Sequence, residues 1–128
     1  MRQSASSGSP LEPIIGFTRA VRIGNMAAVA GTAPIGTDGK TVGVNDAAAQ
    51  MRRCLEISRD ALTAVGVPLE CVIRTRILLT RIEDWETVAK VHGEYFTTIK
   101  PVTTVMQVVG FVNPEWLVET EVDAVIEG

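Results

Sequence analysis

The chain lacks most of the features that would place it in a special class. No apolar run reaches the roughly 18 residues that a membrane helix needs, so no spanning helix is expected. Cysteine is scarce: Cys54 falls on an expected helix and Cys71 just before an expected strand, with no metal-type spacing between them. Neither a disulfide framework nor a metal site follows, and burial as small apolar groups in a reducing compartment is the simplest reading of both thiols. Lysine and arginine form no run and the net charge is −3, which argues against a nucleic-acid platform with its basic stripe. Histidine occurs once, at His92. The opening MRQSASSGSP has one arginine and no apolar core, so it does not read as a secretory signal, and a cytoplasmic protein without cofactor or metal is expected.

One further absence concerns a single strand. In IKPVTTVMQVVG, residues 99–110, a proline opens a β-rich run that carries two threonines and no cation after Lys100; the next charge is Glu115.

What is present is ordinary globular material, 46% hydrophobic and 21% charged over 128 residues. A chain of that length forms one domain and buries roughly two-thirds of its unfolded surface. The polar, Ser/Pro-rich residues 1–13 read as a flexible arm, with a single domain over 14–128. Gly24-Asn25 between two β-like runs is a hairpin signal, and GTDGK at 36–40 is a turn whose lone lysine makes no phosphate loop. Asn45 and Asp46 precede a helix whose stripe is Ala48, Met51, Leu55, Ser58, Leu62 and Val65, ending at Gly66. VIRTRILL at 72–79 is a strand. Thr80 and Glu83 have capping-box spacing for a second helix with the stripe Trp85, Val88, Ala89, His92 and Phe96. Two strands follow, near 102–110 and 117–126.

Two helices on one sheet cover one of its faces. Strand alternation puts Ile73, Thr75, Ile77 and Leu79 toward the helices, and Val72, Arg74, Arg76 and Leu78 away from them. In the last strand Val118, Thr120, Val122, Ala124 and Ile126 face the helices, and Leu117, Glu119, Glu121, Asp123 and Val125 face away. A face that is half apolar and half charged suits a partly wet subunit interface better than open solvent.

At this point six pieces in order, GFTRAVRIGN, VAGTAPI, AAAQMRRCLEISRDALTAVG, VIRTRILLTRIEDW, KPVTTVMQV and LVETEVDAV, resemble the RidA/YjgF family, also called L-PSP. The resemblance implies a chorismate-mutase-like α+β fold, one mixed β-sheet with two helices packed on one face, assembled as a homotrimer with a ligand cleft at each subunit boundary. It also implies hydrolysis of reactive enamines and imines such as 2-aminoacrylate, releasing ammonia. Older descriptions of similar sequences name translation-initiation inhibitors or endoribonucleases.

The family pattern also explains the uncharged strand. Deaminating members carry an arginine two positions after the proline, which grips the substrate carboxylate through a two-pronged ion pair. Thr103 stands there in this chain. The family's tyrosine is Phe17, and the serine of its Ser-Gly pair is Ala30 before Gly31. The glutamate thought to position water is kept as Glu119. The resemblance therefore points to an arginine-less branch, not to an arginine-dependent 2-aminoacrylate deaminase. Glu119 is the catalytic candidate, or else a counter-charge to Arg74 or Arg76. Phe17, Arg19, Ala30, Gly31, Thr103, Thr104, Gln107 and Trp116 are the candidate substrate-binding residues, and Arg19 or Arg76 the candidates for a replacement anchor. His92, Trp85, Tyr95 and Phe96 read as core. The expected partners are a small-molecule ligand and two further copies of the chain, with no membrane and no nucleic acid. A deaminase or hydrolase and a binding protein without turnover both remain open, with an endoribonuclease as a weaker alternative.

Overall fold

The computed structural model describes residues 1–127. Six strands form one mixed sheet: β1 (Arg2–Ala5), β2 (Ala20–Ile23), β3 (Met26–Thr32), β4 (Val72–Leu79), β5 (Val102–Gln107) and β6 (Val118–Val125). Their order across the sheet is β1-β2-β3-β6-β4-β5, antiparallel throughout except for the β4–β5 pair. A short helix α1 (Leu11–Ile15) precedes β2, and the two long helices are α2 (Ala47–Ala64) and α3 (Trp85–Phe96). The architecture is α+β, with α2 lying against β3 and β6 and packed alongside α3 on one face.

Local chemistry accounts for most of these elements. Gly24 takes a positive φ of 60° at the first central position of the β2–β3 turn. The Asp46 carboxylate accepts the Ala49 N–H at 3.1 Å and starts α2, and Gly66 at φ 76° lets the chain leave it. Met51, Leu55 and Leu62 from α2, with Val65 just after it, are buried against Val29, Ile77, Leu79, Val118 and Val122 of the sheet. Burying side chains of this size contributes about 1.5–3 kcal/mol each.

Five expectations need correction. Residues 1–13 are not a loose arm: β1 pairs with β2 from Arg2↔Ile23 to Ala5↔Ala20, and Leu11–Ile15 form α1. Polar composition marks an edge strand as exposed, which is not the same as unpaired. The Thr80–Glu83 capping box does not form. A 3₁₀ turn over Ile82–Asp84 comes first, α3 starts at Trp85 without a side-chain cap, and the Thr80 N–H is spent on the Leu117 carbonyl at 3.1 Å. That start leaves Trp85 half exposed, and Val91, not Trp85, joins Val88 and Phe96 in the core. In β4 an irregularity between Val72 and Arg74 breaks the alternation, so Val72 is buried while Ile73 is exposed. Of the two cysteines, only Cys54 is buried; Cys71 is half-buried at the core edge.

Neither α2 nor α3 covers the opposite face of the sheet. Ile23, Met26, Val102, Met106 and Val125 are exposed on it, between 37% and 61%. Among them, Arg74 lies 3.9 Å from Asp123, and Arg76 lies 3.5 Å from Glu121 and 3.4 Å from Asp123.

Candidate functional site

Where β3 and β6 run side by side, the last residues of β3 and the first of β6 form one wall of a cavity of about 270 Å³. Phe17, Arg19, Ala30, Gly31, Trp116 and Glu119 meet there, six of the nine residues singled out from the sequence. Gly31 has a physical reason to be glycine: a Cβ at this position would sit 3.3 Å from Glu119 Oε1.

Glu119 is half-buried, and burial pushes its carboxyl above the ordinary value; Arg19 pulls it down and Glu121 adds to the rise. It is not the counter-charge of either face arginine. Arg74 and Arg76 are taken by Asp123 and Glu121, and among the described residues Glu119 makes no ion pair. A carboxyl so placed can hold or take up a proton nearer neutrality than an exposed glutamate can.

Arg19 is 5% exposed. Its Nε donates to Ser7 Oγ at 3.0 Å, and its Nη1 donates to the Gly31 carbonyl at 2.6 Å and to Thr32 Oγ1 at 3.3 Å. Its guanidinium carbon lies 5.1 Å from the centre of the Phe17 ring. Burial lowers the Arg19 pKa and the charges of Glu12 and Glu119 oppose it, yet neither acid touches it. Glu12 is linked to it through Ser7, whose Oγ donates to Glu12 Oε2 at 2.9 Å. The backbone N–H groups of Ser7 and Ser9 donate to the same oxygen at 3.0 and 3.2 Å. Burial raises the Glu12 pKa, and hydrogen bonds from Ser6, Ser7 and Ser9 outweigh it, so the net shift is downward.

The remaining candidates lie elsewhere in the chain. Thr103, Thr104 and Gln107 are on β5, two strands from β6 and therefore roughly 10 Å away across the sheet. Thr104 shares the uncovered face with Arg76, while Thr103 and Gln107 point to the helix side. Gln107 donates to the Thr80 carbonyl at 3.2 Å. Thr103 shares a 2.8 Å hydrogen bond with the buried Thr75, which shares another of 2.8 Å with His92 Nε2. His92 stacks on Phe96 with ring centres 4.6 Å apart, and burial lowers its pKa. It is a packed residue at the core edge, not part of the cavity. Among the described residues, no group of three or more His, Cys, Asp or Glu is placed to hold a metal ion.

Sequence reasoning missed Glu12 and Gln50. Ser9-x-x-Glu12 is itself a capping-box spacing at the start of α1, a signal hidden inside a segment read as disordered. Gln50 gave no signal: it is a polar residue on the buried side of α2 whose partners are distant backbone groups.

Comparison with known proteins places this geometry. The endoribonuclease L-PSP family profile matches residues 7–126. The chain belongs to that family, the RidA/YjgF family. A Mycobacterium tuberculosis member of the YjgF/YER057c/UK114 family is 41% identical, with a TM-score of 0.89 over 98% of this chain and 100% of its own. An uncharacterized protein of Streptomyces coelicolor is 38% identical over 92% of this chain and 87% of its own length. The 3-aminoacrylate deaminase RutC of Acinetobacter baylyi is 33% identical over 88% of this chain and 87% of its own length. Sheet, helices and their order agree with the RidA/YjgF fold.

Proposed function

We propose that this RidA/YjgF protein is a homotrimer that binds a small metabolite between subunits and hydrolyses an imine- or enamine-like substrate, with Glu119 acting on water. The observation that carries the reading is Glu119 itself: half-buried, raised in pKa, free of both face arginines, and on the wall of a cavity. Its likeness to a deaminase at 33% identity supports the reaction class.

The chemistry asks little of the chain. An enamine tautomerises to its imine, water adds to the C=N carbon, and the carbinolamine collapses to a carbonyl compound and ammonia. Glu119 takes a proton from the attacking water and returns it to the departing nitrogen, so imine plus water balances carbonyl plus ammonia. Such a positioned acid–base group contributes about a hundred- to ten-thousand-fold in rate. Thr103 cannot hold a carboxylate as an arginine does, so 2-aminoacrylate is not the preferred substrate. β5 of one copy can reach the Glu119 cavity of the next only across a subunit boundary. The uncovered, half-apolar sheet face supports that assembly.

A binding protein without turnover is the second reading, favoured by Phe17 and Ala30, which leave the wall with fewer polar groups than the deaminating pattern. A ribonuclease, the weaker alternative, draws no support from a chain of net charge −3 or from a cavity wall without histidine or lysine. Ammonia release across a panel of imines and enamines tests the proposal. Wild type should release ammonia from at least one, and Glu119→Gln should lose at least a hundredfold while keeping its oligomeric state. A variant that is fully active and normally assembled would rule Glu119 out as the catalyst.

A further inference from the structure

Arg19 belongs to two cavities. A second cavity, also of about 270 Å³, adjoins the first, shares Ser9, Arg19, Ala33 and Ile35 with its lining, and is not used by the reaction above. Its other walls come from the serine-rich turn at 7–10, the turn at 36–39, and Arg53 and Ile57 of α2. Two guanidinium groups line it and no carboxylate does.

Both cations have unspent capacity. The three bonds of Arg19 occupy Nε and Nη1 and leave Nη2 without a protein partner among the described residues. Arg53 Nε donates to the Ile35 carbonyl at 2.8 Å, and its Nη1 is 3.7 Å from Glu56, too far for a strong charged hydrogen bond. Two other nearby acids are engaged elsewhere. Glu12 accepts from its serines, and Asp38 accepts the Lys40 N–H at 3.0 Å. Ser9 and Thr37 add hydroxyls to the same walls, whereas the Ser7 hydroxyl is already donated to Glu12. A recess holding two guanidiniums with unused N–H groups and two hydroxyl donors is matched by an anion, because guanidinium forks pair with carboxylate and phosphate oxygens two at a time.

We propose that this second cavity is an anion subsite for the carboxylate or phosphate tail of the substrate whose reactive end lies beside Glu119. This rests on the deaminase reading for the reactive end and adds the class of substrate: a metabolite long enough to occupy both cavities, with its charge at the end remote from the C=N bond. The two recesses together have the size of an ordinary metabolite site. The positive charge that the family pattern places on β5 is here supplied by Arg19, just before β2, and by Arg53 of α2.

Isothermal titration calorimetry of the full chain at fixed ionic strength tests the subsite, with inorganic phosphate, glutarate and the uncharged glutaramide as probes. Saturable binding of phosphate or glutarate is expected, with little of glutaramide. The stronger of the two anions tells a phosphorylated tail from a carboxylated one. Arg53→Gln should weaken anion binding about tenfold to a hundredfold, the range for one lost charged hydrogen bond. Arg53→Lys, which keeps the charge, should lose less, and circular dichroism checks that both variants fold. Glutaramide bound as well as glutarate, no saturable anion binding by wild type, or equal affinities in wild type and Arg53→Gln would overturn the proposal. Binding requires no turnover, so its loss counts against the subsite alone. Intact anion binding without ammonia release counts against the deaminase reading alone.

Discussion

Gln50 offers the sharpest test of how the site wall is held. Its side chain is fully buried on α2, at 0% exposure, and its amide is used three times. Nε2 donates to the carbonyls of Gly43 at 3.0 Å and Glu115 at 2.9 Å, and Oε1 accepts the Leu117 N–H at 2.7 Å. The amide thus fastens the turn before α2 to the segment that carries Trp116 and leads into β6 and Glu119. Gln50→Met keeps the length of the side chain and removes all three bonds. At about 0.5–1.5 kcal/mol net for each hydrogen bond, the loss is about 1.5–4.5 kcal/mol. The more apolar side chain offsets about 1 kcal/mol of this. With a urea slope of roughly 2 kcal/mol/M, the unfolding midpoint should fall by about 0.3–1.8 M. Urea titration followed by circular dichroism measures it, at matched protein concentration because association shifts the midpoint. Gln50→Glu should be unstable at neutral pH, where a carboxylate faces two carbonyls, and should recover in acid as the protonated carboxyl regains one donor. A Gln50→Met midpoint equal to wild type would refute the assignment of this amide as the fastening of the β6 segment.

Light scattering at micromolar concentration should give about three times the monomer mass, and a stable monomer would sink the intersubunit cleft. Turnover of 2-aminoacrylate should be slower than in arginine-bearing relatives. Loss of a buried charge-assisted pair costs about 2–5 kcal/mol, which is roughly thirty-fold to several thousand-fold in rate; comparable activity would mean that another cation grips the carboxylate. The two buried acids should leave opposite marks on stability against pH. Burial raises the Glu119 pKa, so its contribution is complete below the ordinary value of 4.5 and is lost as pH rises through the folded value. Glu119→Gln should therefore gain on wild type in thermal melts as pH climbs above that point. For Glu12, hydrogen bonds outweigh burial and lower the pKa, so its contribution is present above 4.5 and is lost as pH falls through the folded value. Glu12→Gln should cost stability at neutral pH and little in acid.

Periodicity and turn chemistry made the central elements legible. Asp46, the Met51–Leu55–Leu62 stripe and Gly24 each carry a local signal that the tertiary structure has no reason to override. Legibility failed where the deciding interaction is remote or where two local signals compete. Thr80 looks like a cap, but its backbone joins the β6 segment instead, and α3 yields by starting four residues later than the box implies. Strand alternation assumes an unbroken ladder, and one irregularity after Val72 exchanges the burial of two neighbours. The first 13 residues were misread because composition reports average polarity, whereas a strand edge and a capping glutamate need only backbone partners.

The candidate site divides along the same line. Phe17, Ala30, Gly31 and Glu119 were found by likeness to a pattern, Arg19 as a candidate replacement anchor and Trp116 from its place at the start of the last strand, and β3–β6 adjacency brings them to one cavity. Which acid stays without an ion pair could not be read from sequence, because it depends on which acids Arg74 and Arg76 select. Two arginines and three acids on adjacent strands allow several pairings, and only register decides among them. Asp123 stands opposite Arg74 and Glu121 opposite Arg76, while Glu119 stands opposite Leu78. That one apolar partner is what leaves Glu119 without an ion pair among the described residues. Leu78→Arg should therefore supply the missing counter-charge, pull the Glu119 pKa back down, and suppress turnover without touching the cavity wall. Turnover unchanged in Leu78→Arg, with the new arginine shown by NMR titration to have lowered the Glu119 pKa, would mean that the freedom of this carboxyl is incidental to its role.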